Sequence, residues 1–154
     1  MTQVTNTRQL VVDYVRYRLQ RRGLAWPNGP DPGPSPGRVE RTMRALGEEF
    51  QERYTQVFQE MCKQLDIRPN NAEETFMTTV SELFRDGVKW GRVVALFAFS
   101  GSLAVECVEK EMPLLVDQVV DWTENYIDKH LRSWIQENGS WVRFVMTLFH
   151  EENM

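Results

Sequence analysis

Arg92 is the side chain in this sequence best placed to do chemistry. It stands at the mouth of Val93–Val105, thirteen residues without a charge, with Gly91 directly before it and Lys89 in the same approach. A guanidinium presents a planar fork of N–H donors that can grip a carboxylate through two parallel, charge-assisted bonds. Gly91 has no side chain and would let a partner's backbone come close. This is binding chemistry. A plainer reading stands beside it, in which Arg92 caps an apolar helix and reaches out to solvent. Spacing alone does not separate the two.

Catalytic chemistry finds little footing. His130 and His150 are isolated, and Cys62 and Cys107 have no metal-ligand spacing or neighbouring base. The pairs Glu48-Glu49 and Glu73-Glu74 fit solvated helix faces. No enzyme activity, metal or cofactor is expected. A net charge of −4, spread through the chain, argues against nucleic acid, which wants a clustered basic face. Both cysteines fall inside apolar helical patterns, as buried thiols in a reducing compartment would. Met1–Asn6 is polar, so no signal peptide is expected. The uncharged run is shorter than the ~20 apolar residues that cross a bilayer, so it is expected to be a core helix buried on all sides.

The elements that must position Arg92 are helical. Val4–Arg22 places Val11, Val12, Val15 and Leu19 on one face, with Arg16, Arg18, Arg21 and Arg22 on the rest, and ends at Gly23. Gly23–Gly37 holds five prolines and four glycines and reads as a mobile surface loop within one domain spanning 1–154. Arg38–Leu65 carries a single apolar stripe: Val39, Met43, Leu46, Phe50, Tyr54, Val57 or Phe58, Met61 and Leu65. Pro69 forces a break. Asn71 and Glu74 resemble a capping box for a helix carrying Phe76, Val80, Leu83 and Phe84, which stops at Gly87. The apolar helix then runs to about Val108. Pro113 is tolerated near the start of the next helix, whose stripe is Leu115, Val119, Trp122 and Tyr126. Two short helices separated by Asn138-Gly139 close the chain. No useful stretch alternates with period two, so the fold class is all-α.

Two segments carry rarer residues at fixed places. Glu82-Leu83-Phe84-Arg85-Asp86-Gly87-Val88-Lys89-Trp90-Gly91-Arg92, continuing into Val93-Val94-Ala95, resembles the first homology motif of the B-cell lymphoma 2 family of apoptosis regulators. Trp134-Ile135-Gln136-Glu137-Asn138-Gly139-Ser140-Trp141 resembles the second, in the right order and separation. Arg38–Phe50 is similar to the third motif and Arg8–Leu19 to the amino-terminal fourth. The resemblance covers nearly the whole chain, and its short Pro/Gly loop is most like the short-loop pro-survival members.

The resemblance implies about eight helices wrapped around a central apolar hairpin, with a surface groove. Pro-survival members use that groove to hold the amphipathic death-motif helix of pro-apoptotic proteins, among them Bax, Bak and the partners that carry this motif alone. Carried over, the groove would take Phe50, Tyr54, Phe58, Met61 and Leu65 from the long amphipathic helix. Thr79, Glu82, Leu83 and Asp86 would come from the next helix and the turn after it. Lys89, Gly91, Arg92, Val94, Ala95 and Phe99 would come from the start of the apolar helix, and Leu148 or its neighbour Phe149 from the carboxy-terminal one. Such an interface needs apolar pockets spaced for side chains at i, i+3 or i+4, and i+7, with a polar contact to fix register. Losing a charge-assisted contact like that of Arg92 at an interface centre typically costs about 2 kcal/mol or more.

The sequence departs from the family pattern at informative places. Lys89 replaces the usual Asn, so a group that both donates and accepts becomes a donor-only cation. Met43 stands where Leu is usual, and Glu48 follows Gly47 where the family has Asp, which weakens Val39–Phe50 as a death helix and tilts the reading towards a receptor. After Trp141 the usual acidic residue is missing. Members usually end in an apolar anchor of ~20 residues that reaches the outer mitochondrial membrane. None is seen here, so a cytoplasmic, trimmed or naturally tailless form is expected. Two other functions share these features: a membrane-permeabilising executioner of the same fold, and a helical scaffold with a vestigial groove.

Overall fold

The computed structural model describes the backbone of residues 6–152 except positions 28, 32 and 34, and side chains as far as Met146. The described residues form α1 (Thr7–Arg21), α2 (Arg38–Arg53), α3 (Thr55–Leu65), α4 (Ala72–Leu83), α5 (Trp90–Glu109), α6 (Leu114–Tyr126), a π-turn at Ile127–Leu131, α7 (Arg132–Glu137) and α8 (Ser140–Glu152). The all-α class and the central apolar helix agree with the reading of the sequence.

Helix α5 is the axis of the molecule. Thirteen of its twenty residues are buried, because α1, α2, α3, α4 and α6 all pack on it. The helix is longer than the uncharged run suggests, and at 20 residues it is long and apolar enough to cross a membrane. Length therefore does not make it a core helix; its burial by five neighbours does. Two hydroxyls inside pair with each other: Ser100 Oγ and Thr123 Oγ1 lie 2.9 Å apart, and Thr123 also donates to the Val119 carbonyl.

Helix α1 begins at Asn6, whose side chain accepts from the Gln9 amide at 3.0 Å, and so starts later than Val4, which lies outside the described residues. It ends in a Schellman motif, with Gly23 at φ +68° and the Leu24 amide reaching back to the Leu19 carbonyl at 2.9 Å; only glycine takes that conformation freely. Arg18, read as part of a solvated face, is buried. It turns inward to donate to the Tyr14 hydroxyl at 3.0 Å, the Ala98 carbonyl at 3.3 Å and Ser102 Oγ at 2.9 Å. The rest of α1 is held by ion pairs: Arg8 with Asp121 and Glu124 of α6, Arg21 with Glu48, Arg22 with Glu109, and Asp13 with Arg44.

The stripe expected over Arg38–Leu65 is two helices. The chain departs from α-geometry at Tyr54 (φ −115°, ψ 24°). The Thr55 hydroxyl donates to the carbonyls of Gln51 at 2.7 Å and Glu52 at 3.2 Å, and back-bonding of this kind bends helices. The capping box at Asn71 is also absent. Asn71 does occupy the N-cap of α4 but makes no cap bond; its side chain accepts from the Arg68 amide and donates to the Asp66 carbonyl, closing the preceding turn. Helix α4 stops at Leu83, a turn before Gly87.

Candidate partner-binding groove

The bend at Tyr54 decides which aromatic side chains face outward. Phe50 is half-buried and touches the rings of Tyr54 and Phe58 at 4.7 and 5.9 Å. Beyond the bend, Phe58 and Cys62 turn inward, while Tyr54 is 40% and Val57 59% exposed. Met61 and Leu65 lie half-buried against the core. Of the pair left open in the sequence, Phe58 is therefore the inward residue. On α4, Phe76 and Val80 are buried, Thr79 and Leu83 are half-buried, and Glu82 is exposed, paired with Arg85 at 3.0 Å. Helices α3 and α4 both rest on α5, and Met61, Leu65 and Leu83 keep part of their apolar surface in solvent.

The start of α5 is fixed by Trp90, whose ring lies 4.8 Å from Trp134, 5.7 Å from Trp141 and 5.2 Å from Phe144. This cluster ties α5 to α7 and α8 and gives the second motif's tryptophans a structural role. The next residues open outward. Gly91 is exposed, and a Cβ built on it would meet nothing within 4 Å. Arg92 is half-buried and donates from Nη1 to the Leu83 carbonyl at 2.8 Å, satisfying a carbonyl that the end of α4 leaves without a helical partner. Its remaining N–H groups keep the capacity to bind a carboxylate. Val94 and Ala95 retain 7% exposure each and Phe99 3%, whereas Val93, Leu96 and Ala98 retain none. Asp86 and Lys89 are exposed on the approach to the helix. Leu148 and Phe149 lie outside the residues whose side chains are described.

A second hollow lies further along α5, a cavity of about 100 Å³ lined by Arg18, Phe58, Cys62, Ser102 and Glu106 among others. It escaped the sequence reading because Arg18 looked solvated. Burial, with Glu106 nearby, pushes the Cys62 thiol up to about 11; burial, Glu106 and Cys62 itself push Cys107 up to about 12. Thiols held protonated at neutral pH are poor nucleophiles and metal ligands. Among the described residues no three of His, Cys, Asp and Glu converge as a metal site would require. His130 is exposed and stacks on Tyr126 with ring centroids 4.6 Å apart.

Comparison with known proteins adds an independent line. The family model for apoptosis regulator proteins of the Bcl-2 family matches residues 43–141, and that for Bcl-2 homology region 4 matches residues 5–27, on either side of the Pro/Gly loop. The chain is 37% identical over 186 aligned positions to Bcl-2-like protein 1 of Gallus gallus, covering 92% of this chain and 81% of that protein. It is 35% identical to apoptosis regulator Bcl-2 of Canis lupus familiaris over 187 positions, covering 91% of this chain and 79% of that protein. With Bcl-2-like protein 1 of Homo sapiens it shares 49% identity over 107 positions, covering 70% of this chain and 46% of that protein.

Proposed function

Because the chain belongs to the Bcl-2 family of apoptosis regulators, we propose that it acts as a pro-survival receptor. It holds the amphipathic death-motif helix of pro-apoptotic relatives, the pore-formers Bax and Bak and proteins bearing the motif alone, against the approach to α5 between α3 and α4. It does so by binding, without chemistry. A carboxy-terminal anchor on the full-length protein would place this activity at the outer mitochondrial membrane.

The observation that carries this reading is the empty space over Gly91 beside Arg92. The middle of α5 from Val93 to Gly101 is buried under other helices, yet at its first turn a glycine faces open space with a cation next to it. Half-buried Phe50, Met61, Leu65 and Leu83 supply apolar surface for the spaced anchors of a helix. A carboxylate on that helix can meet Arg92 while its backbone passes over Gly91. The chain's own death-motif segment supports a receptor role: Met43 and Gly47 are buried, and Glu48 is engaged by Tyr17 at 2.6 Å and Arg21 at 2.7 Å.

The test is titration of labelled death-motif peptides from Bax and Bak onto the purified protein. Gly91→Glu is the sharper variant, since the added side chain enters open space and leaves the core untouched. It is expected to weaken binding by tenfold or more, about 1.4 kcal/mol. Arg92→Ala should weaken it comparably, although it also strips the Leu83 carbonyl of its donor. Unchanged affinity in Gly91→Glu, or no binding by the parent protein, would sink the reading. The length of α5 keeps an executioner in view. Dye release from liposomes by this protein alone would favour that role, and suppression of Bax-driven release the receptor.

A further inference from the structure

Lys89 is out of place by every local rule. It occupies the N-cap of α5, with the extended backbone of a cap residue (φ −143°, ψ 157°), and makes no capping hydrogen bond. That position favours Ser, Thr, Asp or Asn, whose side-chain oxygens accept from the first free amides of a helix; an ammonium cannot accept at all. It also sets a cation at the positive end of a twenty-residue helix. A second cation shares the same turn, since the Arg92 amide hydrogen-bonds the Lys89 carbonyl at 3.0 Å. Among the described residues Lys89 has no ion-pair partner, while neighbouring Arg85 is taken by Glu82 and one nitrogen of Arg92 by Leu83. A residue that breaks local rules without a local gain marks function.

Resting on the receptor reading above, we propose that Lys89 makes this groove selective for partner helices carrying two carboxylates within one helical turn. One carboxylate meets Arg92 and the other meets Lys89, the cations that stand after and before the open position at Gly91 in the chain. Residues three or four apart on a helix lie side by side, so one turn of the partner can present both acids to one turn of α5. The two cations then serve different ends. Arg92, half-buried and tethered to α4, fixes register through a planar fork. Lys89, exposed on a flexible stem, adds attraction for a second acid and repels a base at the same place, and its effect falls mainly on association rate and salt dependence.

The experiment uses one Bax death-motif peptide, with the residue one turn from the acid that pairs with Arg92 set to Glu, Gln or Lys, against the parent protein, Lys89→Asn and Lys89→Glu. Binding is followed by anisotropy at low and high salt. The parent should prefer the Glu peptide to the Gln peptide by about fivefold at low salt, with the Lys peptide weakest and the differences shrinking as salt rises. Lys89→Asn should flatten the series and Lys89→Glu invert it, through altered association rates. Lys89 touches no other described side chain through an ion pair, and Asn is a better cap, so neither outcome can be blamed on unfolding. If the parent binds all three peptides alike, or keeps its order in Lys89→Glu, the selectivity proposal fails while the receptor reading stands. If the parent binds none of them, the receptor reading itself fails.

Discussion

Gly101 and Gly91 lie on the same helix and have opposite surroundings. A Cβ on Gly101 would fall 2.8 Å from a ring carbon of Tyr14 and 2.9 Å from Arg18 Cγ, whereas one on Gly91 would touch nothing within 4 Å. The first glycine lets α1 press against α5; the second faces open space. Tyr14 makes the closed side especially intolerant. It is wedged between Gly101 and Gly47 of α2, where an added Cβ would overlap the Tyr14 ring and hydroxyl. Its ring meets Phe97 edge-on at 5.8 Å, so it cannot retreat from one glycine without striking another group. The middle of α5 is thus closely packed, while its first turn is open at Gly91.

The largest expected effect follows from that contrast. Gly47→Ala should cost about 2–3 kcal/mol in urea denaturation, as overpacking of a dense core does, and Gly101→Ala nearly as much. Gly91→Ala should instead be neutral or stabilise by up to about 1 kcal/mol, because alanine loses less backbone freedom in a helix. Since Gly47 and Gly101 share Tyr14, the double variant should cost less than the sum. Equal destabilisation at Gly91 and Gly101 would erase the distinction between the two positions.

The same contrast explains what could be read from the chain. Helices show themselves through spacing, and the Val39–Leu65 stripe, the uncharged run and the breaks at Pro69 and Asn138-Gly139 were enough to place most of them. The bend at Tyr54 was hidden because the apolar stripe passes through it unbroken; what bends the chain is a hydroxyl on Thr55, a residue with no pattern to betray it. Arg18 was hidden because its place among Arg16, Arg21 and Arg22 looks solvated, and its partners come from a helix eighty residues away. At the groove, the residue types at Lys89, Gly91 and Arg92 were legible with their possible chemistry. Which of Phe50, Tyr54 and Phe58 would face outward was not, because tertiary packing of α3 against α5 decides it.

Buried thiols give the next effect, again on the closed side. Both cysteines have their pKa raised from 9.0, Cys62 to about 11 and Cys107 to about 12. The folded state therefore holds these protons more tightly than the unfolded chain. Stability is full below about pH 9 and falls as pH rises through 9 towards 11–12, at up to about 1.4 kcal/mol per pH unit for each thiol. Urea midpoints should hold level from pH 8 to about 9 and then fall towards pH 11, and Cys107→Ala should make the fall shallower. Tyr14, raised chiefly by burial, leaves a residual slope. A midpoint that holds level to pH 11 would contradict the burial assigned to both thiols.

Arg92→Ala should cost about 1 kcal/mol of stability, since one half-buried charged donor is lost from the Leu83 carbonyl. The cost should be local. Hydrogen exchange is expected to quicken at the end of α4 and the start of α5, while α1 and α6 keep their protection. Exchange that quickens evenly over the whole chain would mean that Arg92 supports the core more than the groove edge.

The smallest effect tests whether charge or packing holds α1 in place. Arg8 pairs with Asp121 at 2.8 Å and Glu124 at 2.9 Å, but its side chain is 48% exposed. Water and salt screen such a pair, and exposed pairs seldom exceed about 1 kcal/mol. Arg8→Ala should therefore lower stability by less than that at low salt, and the difference should vanish near 1 M salt, where screening acts within about 3 Å. Tyr14 sits in the same helix, wedged against two glycines, and the loss from Gly47→Ala should survive high salt undiminished because no charge is involved. If Arg8→Ala instead costs as much as Gly47→Ala and loses its effect in salt, α1 is held by its ion pairs. The closed face would then be an electrostatic latch, releasable by salt or charge reversal, rather than a packed seam.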